Sequence, residues 1–421
     1  MSFFGGILSS LLERTPGILR RIQDDNQPIE ILCQTLLSSR GDVSGMSLAQ
    51  IILERYAAFD DDGKLAFFNL LADQMDVPAD PAVAALQSYL DDPSAVNYAA
   101  LTTVIEPPRL QLIRRLNQSQ DATAKLVAMR EDLIRIARNN PNLAKLDIDF
   151  KHLFVSWFNR GFLVLRPINW SSPAHILEKI ITYESVHEIH SWDDLRRRLQ
   201  PEDRRCFAFF HPAIPDEPLI FVEVALTQGT PNSVQDILSE NRKAIIAESA
   251  DTACFYSISN CQAGLAGISF GNSLIKTVVQ ELLRELPQMS DFVTLSPIPG
   301  LVKWLDETGH LDAVSDVEND AMAQTRFAAY YLLNAKRHNN QPRDPVARFH
   351  LNNGALVAAV HAGADTSGNG MGQSLGVMVN YRYDLKRIAE NHEAFANKYT
   401  VVAQKAVRTL ADEADISNSS S

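Results

Sequence analysis

Three groups of residues in this 421-residue chain have types and spacings that could do chemistry. The first is Gln262-Ala263-Gly264-Leu265-Ala266-Gly267-Ile268-Ser269-Phe270-Gly271. It follows a strand-like run, Cys254 to Ile258, and leads into a helix with Leu274, Ile275, Val278, Val279, Leu282, Leu283 and Leu286 on one face, ended by Pro287. Glycines entering a helix leave backbone N–H groups free to hold a phosphate, and the helix dipole adds about half a positive charge there. The spacing is not GxGxxG, and no Gly-Lys-Ser/Thr follows, so a nucleoside triphosphate is disfavoured and a pyrophosphate cradle is the sharper reading. A glycine turn that only closes a βα unit would have the same sequence.

The second is Ser296 in Thr294-Leu295-Ser296-Pro297-Ile298-Pro299-Gly300, where two prolines and a glycine fix the backbone so that the hydroxyl is held rigidly. A turn serine bonded to its own backbone is the plainer alternative. The third is His350 in Asp344-Pro345-Val346-Ala347-Arg348-Phe349-His350-Leu351-Asn352-Asn353-Gly354, which reads as a short helix with Asp at the N-cap, Pro at N1 and Gly at C′. Ala347, His350 and Leu351 share a face, so His350 is either a satisfied core residue or a proton carrier.

Two weaker patterns compete. Gly267-Ile268-Ser269-Phe270-Gly271 matches the GxSxG nucleophile elbow, with Asp306 and His350 following in hydrolase order. The elbow, however, needs its serine directly off the strand, and Ser259 to Ala266 intervene. His187 and His190 flank Glu188 without HExxH spacing or a third ligand, so they read as surface residues and no metal is expected.

The elements that must position these residues fall into two textures. From about residue 26 to 150 the apolar period is helical: Ile29–Leu37, Met46–Ala58, Gly63–Gln74, Pro81–Leu90, Val96–Ile105, Leu110–Asn117 and Ala122–Asn139. Catalytic residue types are sparse there, which suggests packing or oligomerisation. Beyond Leu153, Cys206–Phe210, Leu219–Leu226, Cys254–Ile258, Phe292–Leu295, Leu356–His361 and Leu375–Val379 are strand candidates. The fold class is therefore α+β: an all-α domain over 1–155 and a mixed α/β domain over 156–421. If the strands at Cys254 and Phe292 run parallel, the glycine loop and Ser296 lie at one sheet edge, where open α/β sheets bind ligands.

Composition narrows the partners. Thirty-nine Lys and Arg against 51 Asp and Glu leave a net charge of −12, which disfavours nucleic acid. With 46% hydrophobic and 21% charged residues the chain can bury a sizeable core, and no apolar run reaches the length of a membrane span. The Phe3–Ile22 stretch, with Arg14, Arg20 and Arg21 but also Glu13 and Pro16, reads as an ordinary packed helix rather than a transit peptide. The polar tail Ser417–Ser421 carries no peroxisomal address. Cys33, Cys206, Cys254 and Cys261 lack CxxC spacing and read as reduced thiols in a cytosol.

At these residues the sequence resembles the malonyl-CoA decarboxylases along nearly its whole length. The resemblance is carried by Trp157-Phe158-Asn159-Arg160-Gly161-Phe162-Leu163, Glu217-Pro218-Leu219, Val224-Ala225-Leu226-Thr227, Phe255-Tyr256-Ser257-Ile258-Ser259 and the glycine loop. It continues through Leu295-Ser296-Pro297-Ile298-Pro299-Gly300, Phe349-His350-Leu351-Asn352-Asn353-Gly354-Ala355 and Asn380-Tyr381-Arg382-Tyr383. It implies an N-terminal helical domain used in oligomerisation, as a dimer or tetramer, and a catalytic domain of the GNAT acetyltransferase type. It further implies that Ala266, Gly267, Ile268, Ser269, Phe270, Gly271 and Asn272 contact malonyl-CoA, that Ser296 and His350 are the catalytic pair, and that Tyr383 supports them. The cofactor implied is none beyond the CoA of the substrate.

Animal members carry Glu where this chain has Ser269, and they have a long insertion before His350 that is absent here. The missing insertion and the missing peroxisomal terminus fit a bacterial-type cytoplasmic enzyme of malonate and fatty acid metabolism, while Ser269 leaves no charge at that position of the loop. Decarboxylation of a malonyl thioester leaves an enolate, with the thioester itself as electron sink, so the site must stabilise an oxyanion and then deliver a proton. The alternatives are a GNAT-type acyltransferase, a serine hydrolase acting through Ser269, and an acyl-CoA sensor without turnover.

Overall fold

The structure, a computed structural model, describes residues 27–38, 42–268, 274–315 and 321–414. Phe3–Ile22, Ser269, Phe270, Gly271, Asn272 and the serine tail lie outside the described residues. The chain forms two compact units. One runs to Phe162 and takes in Pro212–Ile214 and a stretch from Gln262; the other holds the remainder from Leu163 on.

In the first unit, helices span Ile29–Ser38, Asp42–Ala57, Asp61–Asp73, Ala79–Asp91, Ala95–Ile105, Pro108–Leu116, Ala122–Ala137 and Ala144–Trp157. The helical periods read from sequence match the first seven closely. Asp60 and Ser94 cap their helices by accepting from Gly63 N and Asn97 N. Leu112, Leu126, Leu133, Phe150 and Phe154 are buried in its core, whereas Ala79–Asp91 and Ala95–Ile105 bury no residue at all.

The second unit is built on an eight-stranded mixed sheet: β1 (Val164–Ile168), β2 (Arg204–Phe210), β3 (Ile220–Thr227), β4 (Thr252–Asn260), β5 (Asp291–Thr294), β6 (Ser296–Pro297), β7 (Leu356–His361) and β8 (Met378–Arg382). The order is β1-β2-β3-β4-β5-β8-β6, with β7 also on β8. β4 and β5 are parallel, joined through the helix Leu274–Glu285, and the other ladders are antiparallel. One face buries Cys206, Ala208, Phe210 and Phe221 against Ile176, Leu177 and Ile180 of the helix Ala174–Tyr183 and Leu195 and Leu199 of the helix Trp192–Leu199.

Two strand readings need correction. Leu375–Val379 is not a strand from its start: Leu375, at φ 54°, caps the helix Gly368–Ser374, Gly376 turns at φ 75°, and β8 begins at Met378. β1 was not evident because Pro167 interrupts its apolar run; as the sheet's edge strand it tolerates the missing donor.

Candidate active site

β5, β6 and β8 form one antiparallel ladder with a two-residue gap. Val293 pairs with Arg382 and Ser296 with Val379 in the same register, while Thr294 and Leu295 leave it. Side chains fill the gap: Tyr381 N donates to Thr294 Oγ1 (3.2 Å), and Asn380 Nδ2 donates to Thr294 O (2.7 Å). Leu295 N turns instead to Phe255 O on β4 (3.1 Å). Ser296 therefore re-enters the ladder with its hydroxyl beside that of Thr294, two residues back on the same strand face.

His350 sits in the last turn of the helix Pro345–Asn352. Asp344 caps that helix, accepting from Ala347 N at 2.7 Å, and Pro345 occupies its first turn. Gly354 ends it at φ 84°, where a Cβ would stand 2.2 Å from Ile388 O, so only glycine fits. The Asp344 carboxyl is buried, and the N–H groups of Ala347, Val346 and Gly300 all stabilise its charge. Burial outweighs them and pushes its pKa up to about 6. One side chain thus touches the helix bearing His350 and the Ser296–Gly300 segment.

The three side chains form a buried line. Ser296 Oγ donates to Thr294 Oγ1 (2.8 Å) and lies 3.2 Å from His350 Nε2; His350 Nδ1 lies 2.8 Å from the Tyr383 hydroxyl. The imidazole stacks on Tyr381, ring centroids 4.5 Å apart, with Phe349 edge-on at 5.0 Å. Burial alone pushes the His350 pKa down to about 3 and that of the Tyr383 phenol well up. The ring is therefore neutral and the phenol keeps its proton. Because the Ser296 hydrogen goes to Thr294, Nε2 faces an oxygen with no hydrogen to give, and the tautomer that satisfies both contacts carries its proton on Nε2 with Nδ1 accepting from Tyr383. That tautomer can donate a proton from Nε2, whereas the other, with Nδ1–H toward Tyr383, would leave Nε2 bare to accept the Ser296 hydrogen as a serine nucleophile requires.

The glycine loop is held within the first unit. A Cβ on Gly264 would stand 1.9 Å from Val127 O, so the loop packs bare backbone on the helix Ala122–Ala137. From that helix the buried Arg130 donates to Gly264 O (2.6 Å) and Ala266 O (2.8 Å), while its Nε pairs with Asp147 (2.9 Å). Gly267 takes φ 75°, and Ile268 N closes a turn onto Leu265 O (3.0 Å). Arg130 escaped the sequence reading, although it lies four residues after Leu126 and three before Leu133 on an otherwise apolar face, which was the available signal.

Of the residues predicted to act, Ser296, His350 and Tyr383 come together, and Ala266, Gly267 and Ile268 share the loop. His190 is exposed as expected, but His187 is not a surface residue. Val186 N and His187 N both donate to Glu184 Oε1 (2.8 Å each) and Arg198 Nη1 donates to His187 O (2.7 Å), which folds the turn inward and puts the ring near Tyr256. Burial pushes the His187 pKa down to about 4. Cys33, Cys206, Cys254 and Cys261 are free and buried. Among the described residues no helix is long and apolar enough to cross a membrane, and no group of three His, Cys, Asp or Glu is placed to hold a metal ion.

Comparison with known proteins gives a consistent result. The family model "Malonyl-CoA decarboxylase C-terminal domain" matches residues 161–326 and 311–420, and that of the N-terminal domain matches 78–158. The mitochondrial malonyl-CoA decarboxylase of Anser anser anser is 35% identical over 356 residues, covering 73% of this chain and 70% of that protein. The Mus musculus protein of the same name is 31% identical over 455 residues, covering 95% and 87%. Among solved structures, malonyl-CoA decarboxylase from Rhodopseudomonas palustris superposes with a TM-score of 0.86 at 49% identity, covering 90% of this chain and 98% of that one. The enzyme from Agrobacterium vitis does so with 0.86 at 46%, covering 91% and 99%.

Proposed function

This chain belongs to the malonyl-CoA decarboxylase family, and on that premise we propose that the Ser296–His350–Tyr383 line converts malonyl-CoA to acetyl-CoA and CO2. When substrate binds, Ser296 turns its single hydroxyl hydrogen from Thr294 to an oxygen of the malonyl carboxylate or thioester and orients it. With the carboxylate turned out of the thioester plane, the breaking C–C bond aligns with the π-system and its electron pair passes into the thioester as an enolate while CO2 leaves. His350 then gives the Nε2 proton to the α-carbon, and the Tyr383 hydrogen bond at Nδ1 stabilises the charge that develops on the ring; water restores the proton. A neutral imidazole is a sufficient donor to a base as strong as an enolate. The observation that carries this reading is the buried line of contacts in which His350 lies 3.2 Å from Ser296 Oγ and 2.8 Å from the Tyr383 hydroxyl, with Ser296 donating to Thr294.

The glycine loop, Ala266 to Asn272, serves in this proposal as the cradle of the CoA pyrophosphate, so no cofactor beyond the substrate's own CoA is needed. The helical part up to about residue 155 serves assembly into a dimer or tetramer. Val83, Leu86, Leu90, Val96 and Ile105, exposed on the two helices that bury nothing, support that role. We place the enzyme in the cytoplasm.

The test is release of CO2 from malonyl-CoA by the purified protein with EDTA present and no added cofactor. Stoichiometric acetyl-CoA is the expected product. Activity lost in EDTA and restored by zinc would overturn the mechanism, and transfer of the acyl group to an acceptor without CO2 would favour an acyltransferase.

A further inference from the structure

We propose that Lys151 binds a phosphate of the coenzyme A moiety, so that the helical unit supplies a substrate contact as well as a scaffold. The inference rests on reading the glycine loop as the CoA cradle and adds to it the cation that the loop itself lacks.

Lys151 lies on the helix Ala144–Trp157, one turn beyond Asp147. Its Cε is 3.5 Å, and its Nζ 4.0 Å, from where a Cβ of residue 267 would stand. The ammonium therefore lies over the glycine whose positive φ turns the loop, with no side chain between them. Asp147 is shared by two cations: Oδ1 accepts from Arg130 Nε at 2.9 Å and Oδ2 from Lys151 Nζ at 2.6 Å. Two positive charges against one negative leave a surplus at the loop.

The two cations are differently placed. Arg130 is 1% exposed and spends its donors on Asp147 and two loop carbonyls, which makes it a positioning residue. Lys151 is 44% exposed and has three donors, of which Asp147 takes one. An ammonium on a flexible stem, tethered at one N–H and open to solvent at the others, suits a phosphate point contact. In a chain of net charge −12, a polyanionic substrate needs such a local cation to approach its site.

The test compares malonyl-CoA with malonyl-pantetheine, which keeps the thioester and lacks the phosphates. For the parent, kcat/KM should be lower on malonyl-pantetheine. Lys151→Met should raise KM for malonyl-CoA about tenfold with kcat within about twofold, the loss of one charge-assisted contact, and Lys151→Arg should recover most of it. On malonyl-pantetheine the same Met variant should move KM by less than about twofold. If the parent uses both substrates equally well, the phosphate cradle itself is wrong. If the parent discriminates but Lys151→Met changes both substrates equally, or neither, the loop reading stands and the role of Lys151 is overturned.

Discussion

His350 Nδ1 lies 2.8 Å from the Tyr383 hydroxyl, and both groups are buried. Which partner donates in that contact sets what the other ring nitrogen can do. With Nδ1 occupied as an acceptor, the ring can present only Nε2–H to Ser296, so Ser296 receives a hydrogen bond rather than surrendering its proton. Thr294, held by Tyr381 N and Asn380 across the ladder gap, takes the serine hydrogen and fixes its direction. In the mechanism proposed above, the same constellation of serine and histidine that elsewhere makes a nucleophile serves protonation.

The two serines should therefore separate cleanly. Removing one preorganised donor costs ~10²-fold or more in rate, so Ser296→Ala should lose that much of kcat, whereas Ser269→Ala should stay within about tenfold of the parent. Steady-state kinetics on malonyl-CoA checks this, and the opposite ranking would point to the GxSxG serine.

Stability should carry the signature of a histidine held neutral. The folded-state pKa of His350 is near 3, against about 6.5 when unfolded. Above 6.5 neither state binds the proton; as pH falls from 6.5 toward 3 only the unfolded chain takes it up, and stability is lost. His187, pushed down to about 4, acts in the same sense. Glu223, raised to about 8 by burial, acts oppositely, costing stability as pH rises from its unfolded value toward 8. Between pH 7 and 5 the parent should lose about 2 kcal/mol more than His350→Asn, at ~1.36 kcal/mol per pH unit below 6.5. Urea midpoints at the two pH values give the comparison, and equal slopes would mean that the ring is not kept neutral.

How much of this was legible in the residues differs by element. The His350 helix was fully so, because Asp344, Pro345 and Gly354 each act through local backbone chemistry that spacing reveals. The helical periods of the first unit were equally plain. The meeting of Ser296 with His350 was not: the residues are 54 apart, and only the shared register of β5 and β6 on β8 lines up Thr294 and Ser296 with Tyr381. That pairing came from the family resemblance. His187 misled because His187, Glu188 and His190 crowd polar types into one short stretch that looks solvated, while the Glu184 carboxylate turns the backbone inward.

Asp344 should behave as a positioning residue. Asp344→Ala removes the N-cap and should cost about 1–2 kcal/mol of stability, together with a fall in kcat larger than any change in KM, because the helix bearing His350 loosens against the Ser296–Gly300 segment. Asp344→Asn keeps the Oδ1 acceptor and should restore most of both. Denaturation and kinetics on the two variants check it; if Ala performs like Asn, the cap does not hold the dyad.

The proposed role of His350 as the carbon acid makes the sharpest demand. Its ring donates only through Nε2, and nothing in its role requires it to touch the CoA phosphates, so His350→Asn should bind acetyl-CoA about as well as the parent. Turnover should fall at least ~10²-fold, the scale of a positioned general acid. In deuterium oxide the parent should place one solvent deuterium on the acetyl methyl, because the proton arrives after CO2 has left. Calorimetry, CO2 release and mass analysis of the product separate these effects. Near-parent turnover by the variant would make His350 a packing residue of the Tyr381 stack, and the proton would then have to come from Tyr383 or from water.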